Sequence, residues 1–469
     1  MEYKEQVKII TDIEANVSVD ELFYKNTKIW PVIRLEIWKS IFDGHSNPKP
    51  IRSKVSFLKR SLRFVNNRFF TKKNQYQKAD VVFLIAPDER KVLVNDKYYS
   101  PFSSSLNDLS EEGGISSAIL DLSRKRLPVF GKTFFIDKEA VDSPYKDKIF
   151  KLIKKIRPKN KNLITKWEEL VSYMKTRCPG HIPDQHRIIN YCEEIIRYEN
   201  IFTRILKKIQ PKTAFLVCYY HPAAMGYIKA CRNLKIKTVE IQHGDIYGMY
   251  RDWTKLPAGG YELLPSSWWC WGKDSADKIN EWSKPIHPEH KAFVGGNPWI
   301  ARFIGTSPNI NNRPDRKTNI LIALTNMDYP VDNIVSAVEQ SSDRFNWLIR
   351  PHPAMPDQVN KFFEVSQKLT KDNSSLLFEA LNKVDFVVTP CSAVVYEALV
   401  FRVHPVITHS DGKNKFEKYI QKGLVSYAES CEKLLEILQK NESEFIFEDD
   451  SPLMETDQKR MREILQNLI

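Results

Sequence analysis

Short runs of consecutive apolar residues recur along the chain, separated by segments whose apolar positions follow the helical period. The clearest runs cover residues 80–85, 214–218, 237–241, 320–324, 347–350, 385–389 and 405–407. A strand buried on both faces needs apolar side chains at every position, so these runs predict strands of parallel sheets with helices between them. Helical spacing dominates residues 1–50, 140–210 and the two segments near 430–440 and 456–468.

The strand series divides into two halves. A chain of 469 residues exceeds what one hydrophobic core usually serves, and the Asn-, Pro- and Arg-rich stretch at 297–317 has the composition of a linker. We therefore predict an α/β protein with two Rossmann-like doubly wound domains facing a cleft. The predicted parts are a helical and basic segment (1–80), a first Rossmann-like domain (81–300), a second (315–445) and a terminal helix (446–469). Whether that helix returns to the first domain is left open.

The charge of the chain favours anionic partners. Lys and Arg number 71 against 58 Asp and Glu, a formal net charge of +13. Nine basic residues and no acid lie between Arg52 and Lys78, interleaved with large apolar residues. One interpretation is an amphipathic helix lying on an anionic membrane surface; the other is a solvated helix packed on its own domain.

The first 30 residues contain acids among the apolar positions and resemble no signal peptide. With no apolar run of about 18 residues, we expect a cytoplasmic protein, with the basic segment allowing a peripheral position on the inner face of the cytoplasmic membrane. The seven cysteines form no CxxC pair and no zinc spacing, so we interpret them as buried or incidental thiols and predict neither disulfides nor structural metal.

Polar residues follow four of the predicted strands, two in each half of the chain. They are Tyr219-Tyr220-His221, the segment from Glu240 to Asp245, the segment from Arg350 to Pro353, and the segment from Thr389 to Ser392. Ligands of doubly wound sheets bind beyond the carboxyl ends of strands. The four segments therefore predict one composite site in the cleft.

In the first half, the segment around Gly244 offers a base. Gly244 lets the backbone turn sharply or approach a ligand closely, and either His243 or Asp245 could take a proton from an acceptor hydroxyl. The acceptor or the cleft would also meet four further candidates, Glu240, Gln242, His221 and Tyr220. The alternative is an ordinary turn between strand and loop.

In the second half, Ser392 stands where a strand gives way to a helix. A serine N-cap with the free amides behind it suits a phosphate, while Glu397 could reach a ribose hydroxyl and Pro390 lies beside the expected nucleoside. His352, fixed between two prolines, could donate to a phosphate oxygen with Arg350 nearby. The alternatives are a capped helix with no ligand and a histidine that satisfies a loop carbonyl.

Several signatures are absent from the sequence. It contains no GxxxxGK[ST], no GxGxxG after a strand, no HExxH and no GxSxG, which argues against P-loop NTPases, dinucleotide oxidoreductases, zincins and serine hydrolases. No Asp-x-Asp follows a strand, so a nucleotide sugar would lack its usual metal ligands. We expect no cofactor and no metal.

The order of five motifs resembles that of bacterial GT-B glycosyltransferases of capsule and surface-polysaccharide assembly. The motifs are QHG (242–244), PSSWWCWG (265–272), VGGNPW (294–299), RPHP (350–353) and PCSAVVYEAL (390–399), preceded by IWPVIR (29–34). The layout is similar to that of sialyltransferases and polysialyltransferases, capsule Kdo transferases and teichoic-acid polymerases.

This resemblance implies roles for particular residues. His352 and Ser392 would hold the phosphate of CMP, although the usual Ser-Ser or Ser-Thr pair reads Cys391-Ser392 here. The acidic catalytic motif of the sialyltransferases has its nearest counterparts in Asp88-Glu89 and Glu111-Glu112-Gly113. His243-Gly244 instead matches the His-Gly base of the teichoic-acid polymerases, so the two parent patterns differ over the base.

The resulting hypothesis is a metal-independent inverting glycosyltransferase. It would move a sugar from a nucleotide sugar, by our best guess a CMP-activated acidic sugar such as Kdo or sialic acid, onto a growing glycan or lipid-linked saccharide. Domain 81–300 would bind the acceptor and domain 315–445 the donor. The alternatives are a CDP-glycerol- or CDP-ribitol-type phosphotransferase, a nucleotide-sugar epimerase, and a basic membrane- or nucleic-acid-binding protein. Under the main hypothesis no nucleic acid is expected.

Overall fold

The computed structural model describes residues 3–42, 76–86, 89, 92–94, 96–122, 131–136, 164–244, 257, 259–283, 290–304, 317–325, 329–352, 355–440 and 454–469. The chain forms two compact units: unit 1 contains Met1–Pro298 and Asp457–Ile469, and unit 2 contains Trp299–Thr456. Three sequence predictions lie outside the described residues: the base candidate Asp245, the acidic candidate Asp88 and the basic segment as far as residue 75.

Unit 1 is built on a seven-stranded sheet in which every pair of neighbours is parallel. Its strands are β3 (Val81–Ile85), β6 (Ser117–Asp121), β7 (Thr133–Phe135), β8 (Thr213–Leu216), β9 (Lys237–Ile241), β10 (Ser267–Cys270) and β11 (Lys291–Val294). Two hairpins, β1 (Phe23–Tyr24) with β2 (Thr27–Lys28) and β4 (Val92–Val94) with β5 (Lys97–Tyr99), lie outside it. The spatial order is β11-β10-β9-β8-β3-β6-β7. The direction of winding therefore reverses between β3 and β8, which is the switch point where doubly wound sheets bind ligands.

Eight helices belong to unit 1 among the described residues. They are α1 (Tyr3–Asn16), α2 (Trp30–Phe42), α3 (Ser103–Glu112), α4 (Trp167–Arg177), α5 (Gln185–Ile209), α6 (Pro222–Asn233), α7 (Lys273–Ser283) and, from the end of the chain, α15 (Gln458–Asn467). The longest, α5, is capped by Asp184, whose carboxylate accepts from the His186 amide at 2.8 Å. It packs closely on α6 because Gly226 has no side chain; a Cβ there would lie 2.6 Å from that of Tyr198.

The IWPVIR segment holds the N-terminal helices together. Trp30 Nε1 and Arg34 Nε, one turn apart on α2, both donate to Glu14 Oε1 on α1, at 2.9 and 2.8 Å. All three side chains are buried. The conspicuous polar residue of this motif therefore pairs with a buried carboxylate within unit 1.

The last helix of the chain packs against α3 of unit 1. Its Arg462 pairs with Glu112 at 3.4 Å, and Thr213 Oγ1 at the start of β8 donates to the Leu468 carbonyl at 2.6 Å. The chain therefore returns to unit 1 after leaving unit 2.

Unit 2 is a six-stranded, all-parallel sheet of the same kind. Its strands are β12 (Thr318–Ala323), β13 (Phe345–Arg350), β14 (Thr370–Lys371), β15 (Phe386–Thr389), β16 (His404–Ile407) and β17 (Ser426–Tyr427). Their spatial order, β14-β13-β12-β15-β16-β17, is the Rossmann order 3-2-1-4-5-6. The switch point lies between β12 and β15.

Helices cover both faces of the unit 2 sheet. They are α8 (Asp332–Ser341), α9 (Asn360–Val365), α10 (Leu377–Leu381), α11 (Val394–Val400), α12 (Ser410–Lys415), α13 (Glu417–Gln421) and α14 (Cys431–Leu438). One core joins the sheet to α8, α9 and α14 through Ile334, Phe362 and Leu434. The other joins it to α10 and α11 through Ala380 and Ala398.

The predicted fold class, two Rossmann-like doubly wound α/β domains, is confirmed by these two sheets. The apolar runs correspond to β3, β8, β9, β12, β13, β15 and β16. Several boundaries differ by one or two residues; the run at 214–218, for example, stops being a strand at Leu216. Within the described ranges, no helix is both long enough and apolar enough to span a membrane.

Candidate functional site

His243 lies at the carboxyl edge of the unit 1 sheet, two residues beyond β9. Its Nε2 atom is 3.0 Å from Cys218 Sγ and 3.0 Å from the Tyr220 hydroxyl, both in the loop after β8. The ring also forms a hydrogen bond with the backbone of Ile241. An imidazole that donates to a carbonyl through one nitrogen presents the other as a proton acceptor. The geometry therefore makes Nε2 the basic atom.

Burial sets the charge of this imidazole. Desolvation lowers the pKa of His243 below its ordinary value, and the nearby carboxylates of Glu240 and Glu89 oppose that decrease without cancelling it. The same burial raises the pKa of the Tyr220 phenol, so Tyr220 remains a hydrogen-bond donor. His243 is therefore neutral near pH 7, as a general base must be.

Cys218 owes its position to an unusual backbone conformation. Its φ is +62°, in the left-handed region that non-glycine residues seldom adopt. That conformation lies in the turn between the end of β8 at Leu216 and the start of α6 at Pro222. All seven cysteines lie in the described ranges and are reduced thiols; five are buried, and Cys218 and Cys391 are half-buried. Nothing in the sequence indicates that the sulfur of Cys218 touches the candidate base.

Glu240 and Gln242 form buried hydrogen bonds with the segments around His243. Glu240 is buried, and its oxygens accept from the Tyr219 amide and the Trp268 indole, each at 3.1 Å. Gln242 is also buried; its Oε1 accepts from the Trp271 amide at 2.7 Å, and its Nε2 donates to the Gly244 carbonyl at 2.9 Å. These contacts give both side chains a bracing role, in place of the predicted acceptor contact.

His221 and Gly244 also differ from the expectation. His221 caps α6, with Nδ1 accepting from the Ala224 amide at 3.2 Å, so this nitrogen is not available to an acceptor. Gly244 has no positive φ, and a Cβ placed on it would meet no described atom within 4 Å. Steric crowding within the described protein therefore does not require glycine at this position.

Glu89 is a buried acid that follows β3 at the same edge of the sheet. It is 9% exposed, and its carboxylate accepts from the Ala86 amide at 3.2 Å, from the Ser100 hydroxyl at 2.5 Å and from the Ser103 hydroxyl. Ser103 begins α3, so Glu89 places a negative charge at the helix N-terminus, where the macrodipole favours it. Its neighbour Asp88 lies outside the described residues.

The other acidic candidates lie at the opposite edge of the sheet. Glu111 accepts from Ser117, the first residue of β6, at 3.0 Å, and Glu112 pairs with Arg462. Since the strands are parallel, the starting end of β6 is remote from the carboxyl end of β9 that carries His243. Of the two acidic motifs, only the one containing Glu89 accompanies the candidate base.

The VGGNPW motif is explained by packing. A Cβ on Gly295 would lie 2.1 Å from the buried ring of Trp269, and Gly296 has a φ of +87°. Trp269 Nε1 donates to the Gly296 carbonyl at 2.8 Å. The two glycines thus let the loop after β11 lie directly on a tryptophan of β10.

In unit 2, a cavity of about 270 Å³ opens at the switch point. It is lined at the strand ends by Leu324, Thr325 and Pro390 and on the helical side by Val335, Gln358, Lys361 and Phe362, among others. Gln358 Oε1 is buried and has no hydrogen-bond partner among the described residues. The cavity thus combines apolar walls with an amide acceptor that a ligand could satisfy.

Ser392 lies just beyond Pro390, and its Oγ accepts from the Val394 amide at 3.3 Å. Its hydroxyl hydrogen therefore remains a donor. The helix α11 begins only at Val394 and has seven residues, so the macrodipole behind Ser392 is weaker than the sequence analysis assumed. Any anion contact here depends on the serine hydroxyl.

Glu397 lies in α11 with its Oε2 buried and no partner for that atom among the described residues. Burial raises the pKa of Glu397 to about 7, with Lys415 acting in the opposite direction. The carboxyl is therefore only partly ionised at neutral pH. It can accept or donate a hydrogen bond there, which suits a sugar hydroxyl.

Arg350 and His352 follow β13, on the other side of β12 from Ser392. Arg350 Nη1 forms an ion pair with Asp372 and donates to the Ser374 carbonyl at 2.9 Å. Its charge is thereby largely neutralised, which weakens the predicted phosphate contact. His352 is partly buried two residues past the strand.

The sequence analysis missed a cluster after β16. The Tyr329 and His409 rings lie 4.6 Å apart, and the Tyr329 hydroxyl bonds to Asp411 and Cys391. Tyr329 also lines the cavity. The signal was present, since Thr408-His409-Ser410-Asp411 is another polar segment that follows an apolar run. Within the described ranges, no three His, Cys, Asp or Glu side chains are grouped to hold a metal ion.

Two Rossmann-like units in one chain define the fold class of the GT-B enzymes. Solved structures that are similar to this chain include UDP-GlcNAc 2-epimerase from Methanocaldococcus jannaschii, at 12% identity, 83% of this chain and 98% of that chain, with a TM-score of 0.48. The calicheamicin glycosyltransferase CalG4 is similar at 10% identity, over 83% of this chain and 94% of that chain, with a TM-score of 0.41. MurG from Acinetobacter baumannii is similar at 12% identity, over 83% of this chain and 99% of that chain, with a TM-score of 0.40. No protein-family model and no curated protein sequence matches the chain. At these identities the likeness concerns the fold alone.

Proposed function

We propose that the protein is a metal-independent inverting glycosyltransferase that uses a nucleotide sugar. Unit 2 binds the donor, a CMP-activated acidic sugar such as Kdo or sialic acid. Unit 1 binds the acceptor, a growing saccharide of a bacterial capsule or lipopolysaccharide. The protein works in the cytoplasm, and its basic segment binds the anionic inner face of the membrane where a lipid-linked acceptor would be.

The observation that carries this proposal is the contrast between the two switch points. In unit 1, the helix that follows the first strand of the sheet has its N-terminus neutralised by Glu89. In unit 2, the corresponding crevice opens into the cavity beside Pro390, whose lining includes the acid Asp332 at the start of α8 and the base Lys361. This cavity has room for a nucleoside, which supports placing the nucleotide in unit 2.

His243 supports a transfer reaction because it is neutral and presents Nε2. In the proposed step, Nε2 takes the proton of the acceptor hydroxyl while the acceptor oxygen attacks the anomeric carbon. The bond from that carbon to the phosphate oxygen breaks, and its electron pair leaves with the nucleotide. The Ser392 hydroxyl and His352 would donate to that phosphate, and Glu397 would hold the ribose.

The first test identifies the nucleotide. In a thermal-shift panel of CMP, CDP, UMP, UDP and GDP, the cognate nucleotide should raise the melting temperature by mass action. Ser392→Ala should reduce that increase. Ser430→Ala should preserve it, because the Ser430 hydroxyl oxygen also accepts from a backbone amide, that of Lys433, but follows the edge strand β17 and not the switch-point strand β15. No shift with any nucleotide would contradict the proposal.

The second test follows turnover with the cognate donor and a saccharide acceptor. His243→Ala and His352→Ala should each lower turnover by a factor of about 10² or more with an unchanged melting temperature. Full activity in both variants would refute these roles. Donor turnover without an acceptor would favour an epimerase, and a product whose mass includes an additional phosphate would favour the phosphotransferase. Salt-dependent DNA binding with no response to nucleotides would favour the nucleic-acid-binding alternative.

A further inference from the structure

Glu89 is tied to His243 through the start of α3. Its carboxylate accepts from Ser100 and Ser103. Phe102, between those serines, lies edge-on to the imidazole with ring centroids 6.2 Å apart. The strands β3, β8 and β9 are neighbours in the sheet, so the segments that follow them meet at one edge. The carboxylate, the helix start and the imidazole therefore form one continuous packed layer.

The hydrogen bonds of Glu89 favour a fixed, ionised carboxylate. Among the described residues, three donors converge on it, the Ala86 amide and two serine hydroxyls. Donors of this kind stabilise the ionised form of the carboxylate and fix its position. Glu89 is thus arranged as a fixed negative charge.

The charge faces a group that becomes positive during the proposed reaction. Among the described residues, the titratable side chains around His243 are Glu240 from β9, Cys218 and Tyr220 from the loop after β8, and Glu89 from the loop after β3. Of these four, the two glutamates bring negative charge, and both favour the protonated imidazole. Glu240 is committed to bracing Tyr219 and Trp268, which makes Glu89 the partner whose charge can be removed with less structural loss.

We propose that Glu89 is a positioning residue for the base: it seats the start of α3 against His243 and stabilises the imidazolium that forms when Nε2 takes up the acceptor proton. This inference rests on the proposed role of His243. It goes beyond that role by assigning a second, non-contacting residue to the same step.

The decisive variant is Glu89→Gln, which keeps the shape and an accepting oxygen for the serines but removes the charge. In the ligand-free full-length protein, the NMR titration midpoint of His243, assigned by loss of its signal in His243→Gln, should fall by roughly half to one pH unit. The control is Glu111→Gln, which removes a charge from the other end of α3. Glu111 there accepts a hydrogen bond from Ser117, and its substitution should leave the midpoint of His243 unchanged. An unchanged midpoint in Glu89→Gln would overturn the proposal.

Two further measurements guard against misfolding and against failure of the proposed function. Glu89→Asp keeps the charge but moves it away from His243 by one methylene. The titration midpoint of His243 in this variant should therefore lie between those of the wild type and Glu89→Gln. A midpoint equal to that of the wild type would also count against the proposal. Where transfer activity is measurable, Glu89→Gln should lower kcat about tenfold, shift the acidic limb of the pH profile to lower pH and leave the donor KM unchanged. The NMR titration needs no substrate, so it tests Glu89 even if the protein proves not to be a transferase.

Discussion

Glu397 should make unit 2 less stable as the pH rises. The ordinary pKa of the carboxyl is 4.5, and burial raises it to about 7 in the folded chain. Below pH 4.5 the group is protonated in both states and has no effect. Between pH 4.5 and about 7 the unfolded chain loses the proton while the folded chain keeps it, so the free energy of unfolding falls with pH. At about 1.4 kcal/mol per pH unit, the full loss above pH 7 is about 3 kcal/mol.

The variant Glu397→Gln removes this cost without changing the size of the side chain. Its free energy of unfolding should exceed that of the wild type by about 3 kcal/mol at pH 8, less the loss of any contact that the carboxyl makes, and by much less at pH 5. Hydrogen exchange in a urea series, read on peptides from β15 and β16, reports this quantity in the full-length chain. The exposed Glu364 of α9 supplies the control, since Glu364→Gln should follow the wild type at both pH values. Parallel pH curves for wild type and Glu397→Gln would refute the reasoning.

Three shorter predictions concern unit 1. Because burial lowers the pKa of His243 below 6.5, kcat/KM should rise with pH through a midpoint below 6.5 and be flat from pH 7 to 8; a midpoint above 6.5 would contradict the buried base. Gly295→Ala should destabilise the protein by about 2 kcal/mol, since its Cβ would overlap the buried Trp269 ring, and an unchanged melting temperature would show that the ring can move. Glu14→Gln should cost about 3 kcal/mol by leaving Arg34 buried without its counter-charge, to be measured by chemical denaturation against the exposed control Glu5→Gln.

Seven of the strands in the two large sheets could be predicted from the sequence, whereas the interior strands β6 and β10 and the edge strands were missed. β3 is buried at every position and wholly apolar, so its run is visible in one dimension. β6 is equally buried but contains Ser117 and Asp121 at its ends, which hide it. β14 and β17 have two residues each and no buried position. Such a strand is defined by its neighbour's hydrogen bonds, and its own composition carries no signal.

The candidate site also contains some residues that the sequence indicates and others that it does not. His243 was recognisable because a polar residue after an apolar run marks the carboxyl edge of a sheet. The role of Glu89 depends on the hydroxyls of Ser100 and Ser103, which fold back onto it from beyond a hairpin. The contact of Cys218 depends on a φ of +62° that the residue type does not indicate. Both belong to long-range geometry, which apolar spacing does not encode.

The two units show how one strand order can support different chemistry. In unit 1, the serine hydroxyls at the start of α3 donate to the protein's own carboxylate, so the position where a phosphate would bind is already charged and satisfied. In unit 2, Ser392 accepts from a backbone amide and keeps its hydroxyl hydrogen as a donor. Removing the charge of Glu89 should not make unit 1 a nucleotide site, because Ser104 and Ser105 are also buried at the start of the helix and do not face solvent. The difference between the units therefore lies in packing as well as charge, and we expect Glu89→Gln to alter the base without adding a second nucleotide site.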